Sequence, residues 1–446
     1  MKRTEIADAR VRATARPESD ADDPRTWSWV EASVWTNRML AALGNGVRGG
    51  QWHSLIDKVY ALPTLWSAWQ RVKANHGAAG IDRMSIERFE AHTGGYLAEL
   101  AEALREGSYQ PEPVRRVHIP KGNGKTRPLG IATVKDRVVQ TALKLVLEPI
   151  FEKDFLPVSF GFRPGRSCKD ALRVVDQALK AGYTWVVDAD LESYFDTIPK
   201  RSLLSRVKEK VSDGKVLKLL KRFLDQEVME GMHRWTPISG TAQGSALSPL
   251  LSNLYLQGLD QLMSDAGYDC WYARFADDFV ALCRTQQEAE AVLAKIQAWV
   301  EQNGLRLHPD KTRVGHCLDK GQGFEFLGYR FEAGRRWVRP KSLKVLKEKI
   351  RQKTGRTRSG SLDTIARELN PILKGWFGYF KHAHRSTFRT LDGYVRRRLR
   401  AMLRKREKRP SYGRSERDHS RWPNAFFAKY GLFTLYEAYA LASQSR

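Results

Sequence analysis

Asp277 and Asp278 stand side by side between two apolar runs, Tyr272-Ala-Arg-Phe-Ala and Phe279-Val-Ala-Leu. Acidic residues are depleted in strands, so a pair at the turn of an apolar hairpin needs a reason. Two like charges held together resist ionising unless a cation neutralises them. Two Mg2+ ions, with Mn2+ as a substitute, would do so, because hard cations take oxygen ligands. Such two-metal sites clamp the attacking and leaving oxygens of an in-line phosphoryl transfer. Taken alone, the pair would more often be a solvent-exposed turn. A second apolar strand, Trp185-Val-Val-Asp-Ala-Asp190, supplies a third carboxylate. Five residues further on, Phe195 can floor a pocket beside a sugar; the competing role is a plain core aromatic.

The rest of the chain places these residues in an α+β domain. Hydrophobic spacings near three and four predict helices within Trp27–Ala74 and over 96–107, 133–152, 168–181, 200–229, 246–264 and 286–303. Val114-Arg-Arg-Val-His-Ile-Pro alternates as a strand, and Gly122-Asn-Gly marks a hairpin turn after it. Helices interleaved with short hairpins argue against a doubly wound α/β sheet. Residues 1–26 lack hydrophobic periodicity and read as a disordered tail. The expected division is then 27–95 as a helical N-terminal extension, 96–334 as the mixed core, 335–410 as a basic helical region and 411–446 as a short C-terminal segment.

Charge decides the class of partner. The 446 residues carry 76 Lys and Arg against 50 Asp and Glu, a net charge of +26. Residues 335–410 hold 25 basic and 5 acidic residues, so most of the surplus sits there. A solvated helix face usually mixes signs; this one does not, which points to a phosphate backbone. A membrane is the competing partner, yet no apolar run approaches the roughly 18 residues needed to span one, and the N-terminus has no secretory pattern. The four cysteines (Cys168, Cys270, Cys283, Cys317) are scattered, which disfavours a zinc ribbon or a disulfide scaffold and suits the reducing cytoplasm.

Several segments, in order, resemble the group II intron reverse transcriptase, or maturase, family. They are Lys121-Gly-Asn-Gly-Lys-Thr-Arg-Pro-Leu-Gly-Ile131, Ser159-Phe-Gly-Phe-Arg-Pro-Gly-Arg166, Asp188-Ala-Asp-Leu-Glu-Ser-Tyr-Phe-Asp196, Thr241-Ala-Gln-Gly-Ser-Ala-Leu-Ser-Pro249, Phe275-Ala-Asp-Asp278, Leu305-Arg-Leu-His-Pro-Asp-Lys-Thr312 and Phe324-Glu-Phe-Leu-Gly-Tyr329. Beyond them, the stretch from Gly375 through Arg400 is similar to the family's thumb, or X, segment. The resemblance runs from about Ser54 to Tyr430.

It implies a right-hand polymerase of fingers, palm and thumb, making DNA on an RNA template from deoxynucleoside triphosphates and a DNA primer or target. Asp190, Asp277 and Asp278 match its catalytic metal ligands. Lys121 and Arg127 match residues that hold the incoming triphosphate, Gln243 one that packs below the nascent base pair, and Phe195 the ring that excludes a 2′-hydroxyl. Arg396, Arg397, Arg400, Lys374 and Lys381 are the expected contacts to intron RNA. Trp376, Phe377, Tyr379 and Phe380 are expected to stack on exposed bases, although Trp376 and Phe380 serve equally as core. Departures are Phe275 for the usual Tyr, Ala242 for a Pro before Gln-Gly, and Ala132 for a Pro after Gly-Ile. With no cysteine after Cys317, the H-N-H endonuclease of many relatives is expected to be absent. The alternatives are a splicing maturase with little polymerase activity, and a host-adopted reverse transcriptase in defence or repair. An RNA-directed RNA polymerase is disfavoured by Phe195.

Overall fold

The computed structural model describes residues 27–444, apart from 123–124, 266, 268, 410–412 and 414; the side chains of 48, 121 and 125 also lie outside the description. The tail expected over 1–26 falls outside the described residues. The chain forms two compact units, Met1–Val314 and Gly315–Arg446.

The first unit is organised around helix α2 (Val134–Glu152), capped by the Thr133 hydroxyl, which accepts from the Asp136 amide. Helix α2 is buried along nearly its whole length, so it reads as a central post rather than an amphipathic surface helix. Helix α1 (Leu62–Ala74) lays Leu65, Ala68, Trp69 and Val72 into the same core. Strands β1 (Val114–Gly122) and β2 (Lys125–Ile131) form an antiparallel hairpin, with Ile119 opposite Arg127. Strands β4 (Val228–Glu230) and β5 (His233–Trp235) extend it in the order β2-β1-β4-β5. The helix expected over 200–229 is broken into Lys200–Lys208 and Gly214–Leu224 and then gives way to β4. The break is chemical: Asp213 caps the second helix through Lys215 and Val216, and its other oxygen accepts from the Leu55 and Ile56 amides.

A second sheet, ordered β6-β7-β3-β8, carries the acidic residues. Its strands are β3 (Trp185–Asp190), β6 (Cys270–Phe275), β7 (Asp278–Cys283) and β8 (Arg313–His316), and the two units divide within β8. Helix α3 (Cys168–Lys180) packs on β6 and β7, α5 (Gln286–Gln302) on β3 and β7, and α4 (Ser248–Asp265) on β6.

The second unit opens with the antiparallel sheet β9 (Phe324–Phe326), β10 (Tyr329–Glu332) and β11 (Arg335–Val338). Helices α6 (Pro340–Lys353), α7 (Leu362–Phe380) and α8 (Arg385–Arg406) follow. The basic region therefore starts as a strand, not a helix. Gly334, at φ +67°, turns the hairpin that pairs Arg335 with Glu332. Because Tyr329 packs on Phe380 and donates to the Tyr379 carbonyl, this sheet belongs with the helices, and the unit begins about twenty residues ahead of the change in composition at 335.

Candidate active site

Register brings the carboxylates together. Strand β3 runs antiparallel to β7, and Asp190 sits directly opposite Asp278. Asp277 lies beside them in the two-residue turn that links β6 to β7. Directly opposed cross-strand residues have side chains roughly 5 Å apart at Cβ, and like charges there are destabilising unless neutralised. Among the described residues, no three His, Cys, Asp or Glu converge closely enough to enclose an ion. The charges attract protein cations instead. Lys311, carried by the Leu305–Thr312 segment, places its ammonium 2.5 Å from Asp190, and the Arg313 Nε lies 3.9 Å from Asp188. That segment is itself docked on the strand end, with the His308 amide donating to the Asp190 carbonyl.

The turn is held from beneath by a residue that pattern reading passed over. Arg274 is fully buried in β6. Its guanidinium donates to both oxygens of the equally buried Asp260, to Asn253, to the Ser159 hydroxyl and to the carbonyl of Ala276. A buried charge is tolerated when it is paired and its hydrogens are satisfied; Asp260 holds the guanidinium firmly protonated against the desolvation that opposes it. Ala276 immediately precedes Asp277 and is left-handed at φ +61°, a conformation that costs a non-glycine residue and needs such support. Gly161 completes the seat: a Cβ there would lie 2.2 Å from the Ala276 nitrogen, and its carbonyl accepts from Asn253. The only signal in the sequence was an arginine inside an otherwise apolar strand.

The residues expected to meet the nucleotide also lie in the chain's first unit. Phe195 is half-buried beside Tyr194, with ring centroids 5.5 Å apart. Exposed Arg127 donates from Nε to Gln243 at 3.0 Å, and Gln243 donates to Asp196 at 3.0 Å. The backbone of Lys121 lies in β1, while its side chain is outside the described residues.

In the second unit the expected RNA contacts separate. Arg396 and Arg397 are partly exposed on α8, Arg397 lying over the Tyr394 ring; Lys374 is exposed on α7, and Lys381 follows that helix's end. Arg400 corrects the expectation. It is 2 % exposed, donates to the Trp422 carbonyl and to Asn424, and covers the Phe427 ring, so it is a core strut. The four aromatics also pack on neighbouring side chains of the unit. Trp376 meets Phe380 at 4.8 Å, Phe377 meets Phe388 at 5.5 Å, and the Tyr379 hydroxyl donates to the Leu327 carbonyl. Phe380 is core, while Trp376, Phe377 and Tyr379 are half-buried against it and its neighbours.

Comparison with known proteins decides the family. Residues 119–331 match the reverse transcriptase (RNA-dependent DNA polymerase) family, and residues 343–422 match the group II intron maturase-specific domain. Protein YkfC of Escherichia coli is 37 % identical over 289 residues, covering 56 % of this chain and 75 % of YkfC. The chain belongs to the group II intron reverse transcriptase/maturase family. It is accordingly an RNA-directed DNA polymerase with a maturase domain, a nucleic-acid-binding protein of a family that uses divalent metal ions. The group II intron-encoded protein LtrA of Lactococcus lactis is 38 % identical over 199 residues, 44 % of this chain, which spans only a third (33 %) of LtrA's length. A solved partial Cas6-RT-Cas1–Cas2 complex overlaps 56 % of this chain and 43 % of its own at 24 % identity and a TM-score of 0.37, too loose a likeness to carry more. Among the described residues, no helix is long and apolar enough to cross a membrane.

Proposed function

We propose that the chain extends a DNA primer or nicked DNA target on an RNA template, using deoxynucleoside triphosphates and two Mg2+ ions, in the cytoplasm. Asp190, Asp277 and Asp278 would hold the ions. The observation that carries this reading is the register that sets Asp190 against Asp278 with Asp277 in the adjoining turn. The donor set is carboxylate oxygen throughout, which suits a hard divalent cation, and Lys311 on Asp190 marks the same demand for positive charge. Bound there, such ions supply charge stabilisation to the attacking and leaving oxygens of phosphoryl transfer.

The chain's own side chains do the positioning. Arg127, with Lys121 on the neighbouring strand, meets the triphosphate: the guanidinium as a fork, the ammonium as a point charge. Gln243 supports the nascent pair, and the Phe195 ring leaves no room for a 2′-hydroxyl. Arg396, Arg397, Lys374 and Lys381 bind the phosphates of intron RNA, which assists splicing and mobility. The test is primer extension on an RNA template. Wild type should extend with Mg2+ and deoxynucleotides, Asp277→Ala should not, and Phe195→Ala should admit ribonucleotides. Robust extension by Asp277→Ala would remove the metal-site assignment.

A further inference from the structure

The loop 239–244 ties the sugar side of the site to the fingers hairpin. At one end the Thr241 amide donates to the Phe195 carbonyl, and the Ser239 hydroxyl donates to the Asp196 carbonyl. At the other end the Gly130 amide of β2 donates to the Gln243 carbonyl at 2.8 Å. Gly244, at φ +108°, permits this approach; a Cβ there would lie 2.4 Å from the Gly130 oxygen. The backbone thereby carries the Gln243 side chain to a point between Arg127 and Asp196.

The amide of Gln243 has one accepting and one donating end. Arg127 can only donate and the Asp196 carboxylate can only accept, so a single orientation satisfies both neighbours. That orientation is present: Arg127 Nε donates to Gln243 Oε1, and Gln243 Nε2 donates to Asp196 Oδ2, each at 3.0 Å. A flipped amide would face donor with donor and acceptor with acceptor. With Nε engaged, the plane of the guanidinium is set, and its two terminal nitrogens remain as the fork for a phosphate. Both bonds are exposed to water and individually weak; their use is orientation.

We propose that Asp196 is a positioning residue, one that fixes Arg127 for the incoming triphosphate through the amide of Gln243. The inference rests on the reading that Arg127 meets that triphosphate. No group is transferred through the relay; it acts before chemistry, on nucleotide affinity.

Single-nucleotide incorporation by the full chain, with Mg2+ and a DNA primer on an RNA template, tests it. Asp196→Ala should raise KM for the deoxynucleotide about fivefold, the effect of losing one oriented hydrogen bond, and leave kcat within about twofold. KM for a ribonucleotide should rise by the same factor, so that sugar discrimination is unchanged. Asp196→Asn, nearly isosteric, keeps an acceptor but admits either amide orientation, and should fall between Ala and wild type; thermal melting of this variant guards against a folding defect. In an Arg127→Ala background, where KM is already raised, Asp196→Ala should add nothing. An unchanged KM in Asp196→Ala, an equal further rise in the Arg127→Ala background, or a loss confined to kcat would overturn the relay while leaving Arg127 in its role. An unchanged KM in Arg127→Ala alone would instead remove the triphosphate reading, and the relay with it.

Discussion

The acidic sheet β6-β7-β3-β8 and the basic helices both depend on arginine, and they use it in opposite ways. In β6, Arg274 is surrounded by oxygen acceptors and shares a bidentate pair with Asp260, neither side chain reaching solvent. On α8, Arg396 and Arg397 are half-buried, the Arg397 guanidinium lying over the Tyr394 ring, while Arg400 turns inward to the Trp422 carbonyl. Other cations of the second unit are engaged within it as well: half-buried Arg398 donates to the Thr354 carbonyl, Arg404 pairs with the buried Asp418, and half-buried Arg358 pairs with Glu368. The surplus of positive charge in 335–410 therefore overstates the surface offered to RNA. What distinguishes a strut from a ligand-binding cation is the set of acceptors around it.

The largest effect that would sharpen this contrast belongs to Arg274→Ala. It leaves Asp260 buried without its partner and frees the Ala276 carbonyl. A loss of roughly 3–5 kcal/mol is expected, together with polymerase activity, as read by denaturant unfolding and primer extension. A loss under 1 kcal/mol would mean that the network is dispensable.

Asp136 extends the comparison, because it is a buried acid that accepts from neutral donors: the Tyr109 and Thr133 hydroxyls, the Glu112 amide and Gln226. Burial pushes it up to about 6, against those hydrogen bonds. Since the folded-state value is raised, the stabilisation is fully present below the unfolded value near 4 and fades as pH rises through 6. Relative to Asp136→Asn, wild type should lose roughly 2 kcal/mol between pH 4 and pH 7.5. Parallel curves for the two proteins would contradict the assignment.

A smaller effect separates the arginines of α8. Arg400→Ala should cost about 1–2 kcal/mol through its lost hydrogen bonds and leave RNA affinity unchanged. Arg396→Glu with Arg397→Glu should shift stability by under about 0.5 kcal/mol. It should also weaken intron RNA binding and flatten its salt dependence, by close to one unit of slope per lost phosphate contact. Equal salt slopes in wild type and the double variant would take these residues off the RNA surface.

Much of this was legible in the chain itself. The apolar runs around Asp190 and Asp277-Asp278 predicted strands, and the structure pairs them. Helices over 168–181 and 286–303 appear within a residue or two, at Cys168–Lys180 and Gln286–Gln302. What escaped depends on contacts distant in sequence. Arg396 and Arg400 are four residues apart and share a helix face, so spacing alone cannot divide them; the segment carrying Trp422 and Phe427 does so by covering one of them. Asp196 carries no signal until Gln243 arrives from 47 residues away. The break at 209–213 follows from Asp213 reaching Leu55, again a long-range contact.

The claim that the palm carboxylates do the chemistry while the basic helices hold RNA is tested most directly by Asp190→Asn, with extension and RNA affinity measured on the same preparation. The substitution removes one charge and keeps the side chain's shape. Single-turnover primer extension should fall by at least about a thousandfold, on the order of 4 kcal/mol in barrier, with the Kd for structured RNA unchanged. Extension near the wild-type rate would contradict the central assignment.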